Sequence, residues 1–385
     1  MRRIRVLFLV ILMLAGHEII AECTVAVVSG RATVDGRPLL WKNRDSSHRE
    51  NRLRFFSGPG YDFIGVINAG DSTQVWMGVN SAGLAIMNSE SKDLEGTEYD
   101  DEGYLMKHAL GNFASIREFR GYLDSTNQAG RSVTSNFGLI DARGEGGFFE
   151  TGNHTYTYFD ATDSVTAPSG ILTRANFAET GNGQGYGYYR CGRADSLLHR
   201  AFQENRLDTR YILQEVARDI TTGKAEESDV GTGSRVTVNT AGTVNRHRTV
   251  SSAVFHGVKP GEDPALSTMW VILGEPIAGI SLPFWVAAGG TGLPDYGELL
   301  NHAIQGIEER LYTSEGTPEM MDLAELPRFL PLNLRVEELI IRRTKEFLDH
   351  WRKQGGYAGE VLRYQRELPG WVVPLLQYEA GDFGP

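Results

Sequence analysis

The first two-thirds of the chain is a series of short β-rich runs set between Gly, Asn and Ser punctuation, with few helical stretches. "CTVAVVS" (23–29) and "PLLWKNRD" (38–45) flank the turn-prone "GRATVDGR" and read as a hairpin. "DFIGVIN", "QVWMGVN" and "GLAIMNSE" follow at short spacing, as strands of a meandering antiparallel sheet. Residues 105–125 carry a helical pattern, 135–160 return to strand, turn and strand, and 188–220 form a second helical block. Strands resume at "SSAVFHGV", "STMWVILG" and "AGISLPFWVAAGG". From Asp295 onward the chain is mainly helical, and "NLRVEELIIRRTKEFLDHWRKQ" (333–354) is its clearest amphipathic stretch. Strand blocks interleaved with helix blocks predict a layered α+β domain rather than a parallel βαβ sheet.

The segment before the first strand changes what the mature protein is expected to be. Arg2, Arg3 and Arg5 precede an apolar stretch from Val6 to Ala15 that is too short to span a bilayer, which is the pattern of a secretory signal peptide. Acceptable cleavage sites lie after Ala21 or earlier, and each leaves Glu22 attached to Cys23. A lipid-modified cysteine needs a small residue before it, and Glu22 is large and charged. The expected organisation is therefore a signal peptide and residual propeptide (1–22), a main domain (23–294) and a helical C-terminal extension packed on it (295–385). Export to the periplasm or beyond follows, with no stable membrane anchor.

The chain has 385 residues and a formal charge of −11, which becomes −12 without residues 1–22. So acidic a protein is a poor partner for nucleic acid. Its two cysteines, Cys23 and Cys191, are not expected to pair, because a bridge would consume the thiol at the mature start.

That thiol is the candidate chemistry. If Ser29 faces Pro38 across the hairpin, the constant sum of antiparallel partners sets Cys23 beside Arg44 and Asp45. A thiol, a free α-amine and a carboxylate that holds the amine make an N-terminal nucleophile, in which the amine, of pKa roughly 8, is the base for the thiol. Cysteine opening a strand is also ordinary core filling, and Asp45 is also a turn residue.

"CTVAVV" followed by "LLWKNRD" resembles the start of the cysteine N-terminal-nucleophile hydrolases, the group of choloylglycine hydrolase, penicillin V acylase and isopenicillin-N acyltransferase. "MGVNSAGLAIMN", "FGLIDARGEGGFFETGN", "ILTRANF" and "RHRTVSSAVFHGV" resemble further family segments in the same order. The resemblance implies a four-layer αββα sandwich of two antiparallel sheets with a helical C-terminal extension. It implies that Cys23 is the nucleophile and Asp45 the carboxylate on its amine. Asn176 would serve as a side-chain oxyanion donor, Asn88 as a main-chain donor, and Arg248 as a nearby positive charge. Lys42, Arg44 and Arg174 are the candidate substrate-binding residues. Lys42 stands where the bile-salt enzymes usually carry arginine, and the family's contiguous Thr-Asn is broken here into Thr173-Arg174-Ala175-Asn176. The implied activity is hydrolysis of a linear amide in an N-acylated small molecule, without metal or organic cofactor. Acyl transfer through the same acyl-enzyme, a non-catalytic exported binding protein on the same scaffold, and a homo-oligomeric state all remain open. Residues 60–75 and 225–245, polar and Gly-rich, are expected to wall the pocket.

Overall fold

The computed structural model describes residues 22–97, 100–222, 236–290, 296–312, 317–355 and 358–381. The expected leader and propeptide at 1–22, except Glu22, and the first part of the expected 225–245 pocket wall lie outside these residues.

The strands of the first half are β1 (Cys23–Val28), β2 (Leu39–Asp45), β3 (Asn51–Phe56), β4 (Phe63–Asn68), β5 (Met77–Asn80) and β6 (Ala85–Glu90). Two helices follow, α1 (Glu102–Asn112) and α2 (Ile116–Thr126). Ser115 caps α2 by accepting from the Glu118 N–H, and the Glu118 carboxylate accepts in return from the Ala114 N–H. Next come β7 (Ser135–Ile140), β8 (Gly146–Thr151), β9 (Tyr156–Asp160) and β10 (Ile171–Arg174), then α3 (Tyr188–Gln203) and the single turn α4 (Thr209–Tyr211). The remaining strands are β11 (Thr237–Asn239), β12 (Thr249–His256), β13 (Thr268–Leu273), β14 (Leu282–Phe284) and β15 (Met320–Asp322). The C-terminal helices are α5 (Tyr296–Leu311), α6 (Leu326–Gln354), α7 (Ala358–Glu367) and α8 (Pro369–Ala380).

Two large antiparallel sheets result, one in the order β10-β1-β2-β12-β13-β14 and one running β3 to β9 in sequence. They stack face to face, with β1 and β2 against β6 and β7. Alternation along each strand sorts the side chains. Met77, Val79, Ala85 and Met87 join Val25, Val27 and Leu40 between the sheets. Val75, Leu84, Ile86, Phe137 and Phe149 face outward and pack on Leu105, Met106 and Phe119 of α1 and α2. Helix α3 covers the far side of the first sheet against β10 and β1. The order is therefore helix, sheet, sheet, helix.

The sequence reading did not pick out β3. This edge strand alternates Arg52 and Arg54 with apolar residues, and charge is how an edge strand avoids pairing with another chain. The C-terminal extension is also less purely helical than expected, because β15 pairs with β11 in a small separate sheet. Its helices are not peripheral: Leu300, Ile304, Phe329, Trp351 and Leu376 are buried in the same core as Met269 and Val271 of β13.

Candidate active site

Cys23 opens β1 directly opposite Arg44, with Lys42 opposite Val25, so the thiol and both cations lie on the face turned toward the second sheet. Cys23 is 4% exposed. Its main-chain N–H donates to Asn176 Oδ1 at 2.8 Å. Asn176 follows β10 and is fully buried, and its Nδ2 donates to the Glu90 carbonyl at 2.9 Å. This orientation differs from the expected one: the amide turns its oxygen, not its nitrogen, toward the cysteine, because two donors, the Cys23 N–H and Arg190, meet it on that side and the Glu90 carbonyl takes its nitrogen on the other.

That peptide is held on both sides. The Glu22 carbonyl accepts from the Asp45 N–H at 2.8 Å, and Arg190 Nη2 reaches the Cys23 carbonyl at 3.4 Å and Asn176 Oδ1 at 2.5 Å. The Glu22 carboxylate is paired with Arg246 and lies 3.6 Å from Arg190 Nη1.

Asp45 is buried and accepts from Thr249 Oγ1 at 2.7 Å and from Arg246 Nη1 at 3.1 Å. Burial pushes its carboxyl up to about 7, opposed by Arg190, the Thr249 hydroxyl, Arg248 and Lys42. The ion pair with Arg246 pulls the same way as those cations, so the carboxylate is accessible at neutral pH. The arginine that touches Asp45 is thus Arg246. A tight turn, in which the Thr249 N–H donates to the Arg246 carbonyl, folds Arg246 back onto the end of β2. Arg248 is half-buried and reaches Asp45 only through its field.

Lys42 is buried, and Nζ donates to Asn88 Oδ1 at 2.7 Å and to the Trp76 carbonyl at 3.1 Å. Burial lowers it to about 8, partly offset by the attraction of the Cys23 sulfur. Arg44 donates to Asn51 Oδ1 at 2.7 Å and Asn68 Oδ1 at 2.9 Å, and its guanidinium lies 4.7 Å from the Trp76 ring centre. Asn88 meets this group through its side chain, and the β5–β6 pairing ends at Met77 and Met87, one residue short of it.

Arg174, expected to bind substrate, is held instead by a carboxylate and two aromatic rings. Its Nε donates to Glu150 at 2.8 Å, and its guanidinium packs on Phe148 and Phe159. Sequence reasoning missed Arg190, whose place depends on α3 docking on β1 and has no local signal.

A cavity of about 730 Å³ lies beside the site and does not include Cys23. It is lined by residues such as Arg49, Asn68, His247, Glu308 and Tyr312, and meets the site through Asn68, the acceptor of Arg44. Asn68 and Ala69 come from the expected 60–75 wall. Among the described residues, no cluster of three or more His, Cys, Asp or Glu side chains is placed to hold a metal ion, and no helix is long and apolar enough to cross a membrane.

No protein-family model matches the chain, and no curated protein does. Solved structures do resemble it. A Caenorhabditis elegans ortholog of N-acylethanolamine-hydrolyzing acid amidase is 16% identical with a TM-score of 0.43, over 63% of this chain and 93% of that one. A variant of conjugated bile acid hydrolase from Clostridium perfringens is 15% identical with a TM-score of 0.39, over 65% and 89%. Penicillin V acylase from Agrobacterium tumefaciens is 13% identical with a TM-score of 0.39, over 68% and 85%. The roles assigned below rest on the geometry of this chain.

Proposed function

We propose that the chain is the precursor of an exported amidohydrolase whose nucleophile is Cys23 once residues 1–22 are gone. The observation that carries this reading is the setting of one peptide bond. A buried thiol follows a carbonyl that accepts a hydrogen bond at 2.8 Å, and its own nitrogen rests at 2.8 Å on a buried asparagine. Around it stand Lys42, Arg44, Asp45, Arg190 and Arg246, all buried. Core filling does not require so many charged groups, each costly to bury, around one cysteine.

In self-processing the Cys23 sulfur attacks the Glu22 carbonyl carbon, the C–N bond breaks, and the nitrogen takes the thiol proton to become the free α-amine. Water then cleaves the thioester and releases the leader as a carboxylate. In turnover the same amine accepts the thiol proton, and the thiolate attacks the carbonyl of an N-acyl amide. The departing amine takes the proton back, and water completes hydrolysis of the acyl-enzyme. Asp45 holds the α-amine and the Asn88 main-chain N–H stabilises the oxyanion, joined by Asn176 once its amide turns Nδ2 from the Glu90 carbonyl to the cysteine.

Intact-mass measurement tests the reading. Wild type should begin at Cys23 and release amine from N-acyl amides, whereas Cys23→Ala should keep Glu22 with whatever signal peptidase left upstream and release none. Amide hydrolysis at the wild-type rate by the alanine variant ends the proposal.

A further inference from the structure

The clasp on Glu22 deepens this reading. Arg190 and Arg246 are almost fully buried, and both hold the Glu22 carboxylate. Even with that carboxylate present, the buried Nε of each guanidinium has no hydrogen-bond partner among the described residues. Once Glu22 departs, two arginines remain with one carboxylate, Asp45, beside them. Buried guanidinium groups left without an anion are costly, and their planar forks fit a carboxylate well. The free α-amine adds further positive charge and competes for Asp45.

Chemistry says which side of the substrate that carboxylate belongs to. During self-processing the acyl group on the Cys23 sulfur is that of Glu22, whose side-chain carboxyl carbon lies four bonds from the carbonyl carbon. A glutaryl group on the same sulfur is the same thioester without the upstream peptide chain. Moving from nitrogen to sulfur shifts the acyl carbon by little more than a bond length or two, within reach of the same arginines.

We infer that Arg190 and Arg246 form a carboxylate subsite on the acyl side, and that the mature protein prefers monoamides of dicarboxylic acids with glutaryl spacing. This rests on the amidohydrolase reading. The thiolate forms the bond to the scissile carbonyl, the amine leaves with the proton, and water releases glutarate; the distal carboxylate stays in the clasp throughout.

The test compares glutaryl and pentanoyl p-nitroanilides, which differ only in carboxylate against methyl at the acyl terminus. Mature wild type should favour the glutaryl compound in kcat/KM by about tenfold or more, the penalty expected when a polar site loses its partner group. Arg246→Gln and Arg190→Gln should each lower that ratio, whatever they do to the pentanoyl rate. Glutarate binding is measured separately by calorimetry, and should occur with mature wild type and fail with a Cys23→Ala protein shown by mass to retain Glu22. Equal or better use of the pentanoyl compound overturns the subsite and leaves the amidohydrolase standing. Glutarate binding without cleavage of either anilide upholds the subsite and removes the amidohydrolase. Neither binding nor cleavage removes both.

Discussion

Lys42 Nζ lies 2.7 Å from Asn88 Oδ1, joining β2 of one sheet to β6 of the other beside the nucleophile. This ammonium has been lowered to about 8, and the carboxyl of Asp45 raised to about 7. The two shifts set opposite limbs of a pH profile. Asp45 becomes a carboxylate, able to hold the α-amine, as pH rises through about 7. Lys42 loses the charge that stabilises the thiolate as pH rises through about 8. Loss of the Glu22 carboxylate and gain of the α-amine favour the Asp45 carboxylate and disfavour the Lys42 ammonium, so in the mature protein kcat/KM should rise and then fall with both limbs displaced to lower pH. Lys42→Arg keeps its charge far above pH 8, so its alkaline limb should move outward even if the bulkier guanidinium lowers the maximum. A limb left in place in this variant belongs to another group.

Asn176→Ala removes the acceptor of the Cys23 nitrogen together with the amide that would stabilise the oxyanion. Turnover should fall by about 10²- to 10³-fold with a much smaller change in KM, since the oxyanion exists only beyond the ground state. Steady-state kinetics on correctly processed protein make the distinction. A change confined to KM would move the oxyanion role to another residue.

Much of this site was legible before the structure because it hangs on one hairpin. Six residues of β1 and seven of β2, joined by a short connection, fix which partner faces Cys23, and the register follows from arithmetic on two positions. Groups delivered by distant elements were less legible. Arg190 arrives on α3, 167 residues after Cys23, and nothing in "YYRCGR" marks it. Arg246 and Arg248 were indistinguishable in "RHR", because the turn that selects Arg246 is closed by main-chain and threonine hydrogen bonds that the arginines themselves do not encode. The partner of Arg174 was hidden for a related reason: its anion, Glu150, lies on the other sheet.

Arg190 depends on Gly187, which precedes α3 with φ of +85°. A side chain there is strained, and its Cβ would come within 2.6 Å of the Arg190 guanidinium. Gly187→Ala should lower stability by about 1–2 kcal/mol and displace Arg190 from the Asn176 oxygen. Slower removal of Glu22, followed by mass over time after synthesis, is the expected signature. Normal processing in a destabilised Gly187→Ala protein would show that Arg190 is not needed for that step.

The C-terminal helices are held to the nucleophile's sheet by a second buried pair. Arg218 donates to both carboxylate oxygens of Glu337, at 2.9 and 2.8 Å, and Glu337 also accepts from the Ser281 N–H at 2.7 Å just before β14. Glu337 lies on α6 and is fully buried, so its removal strands a buried guanidinium and orphans the Ser281 N–H. Breaking such a pair by removing one partner costs about 3–5 kcal/mol, whereas replacing both ions with apolar groups of similar size is often close to neutral. Glu337→Ala should therefore be strongly destabilised in urea, and the double variant Arg218→Met with Glu337→Leu should recover most of the loss. Arg218 also donates to the carbonyls of Leu213, Pro276 and Gly279, so the recovery should be incomplete. If the double variant were as unstable as the sum of the two single ones, the pair would not be coupled, and α6 would owe its position to the packing of Phe329, Leu348 and Trp351 alone.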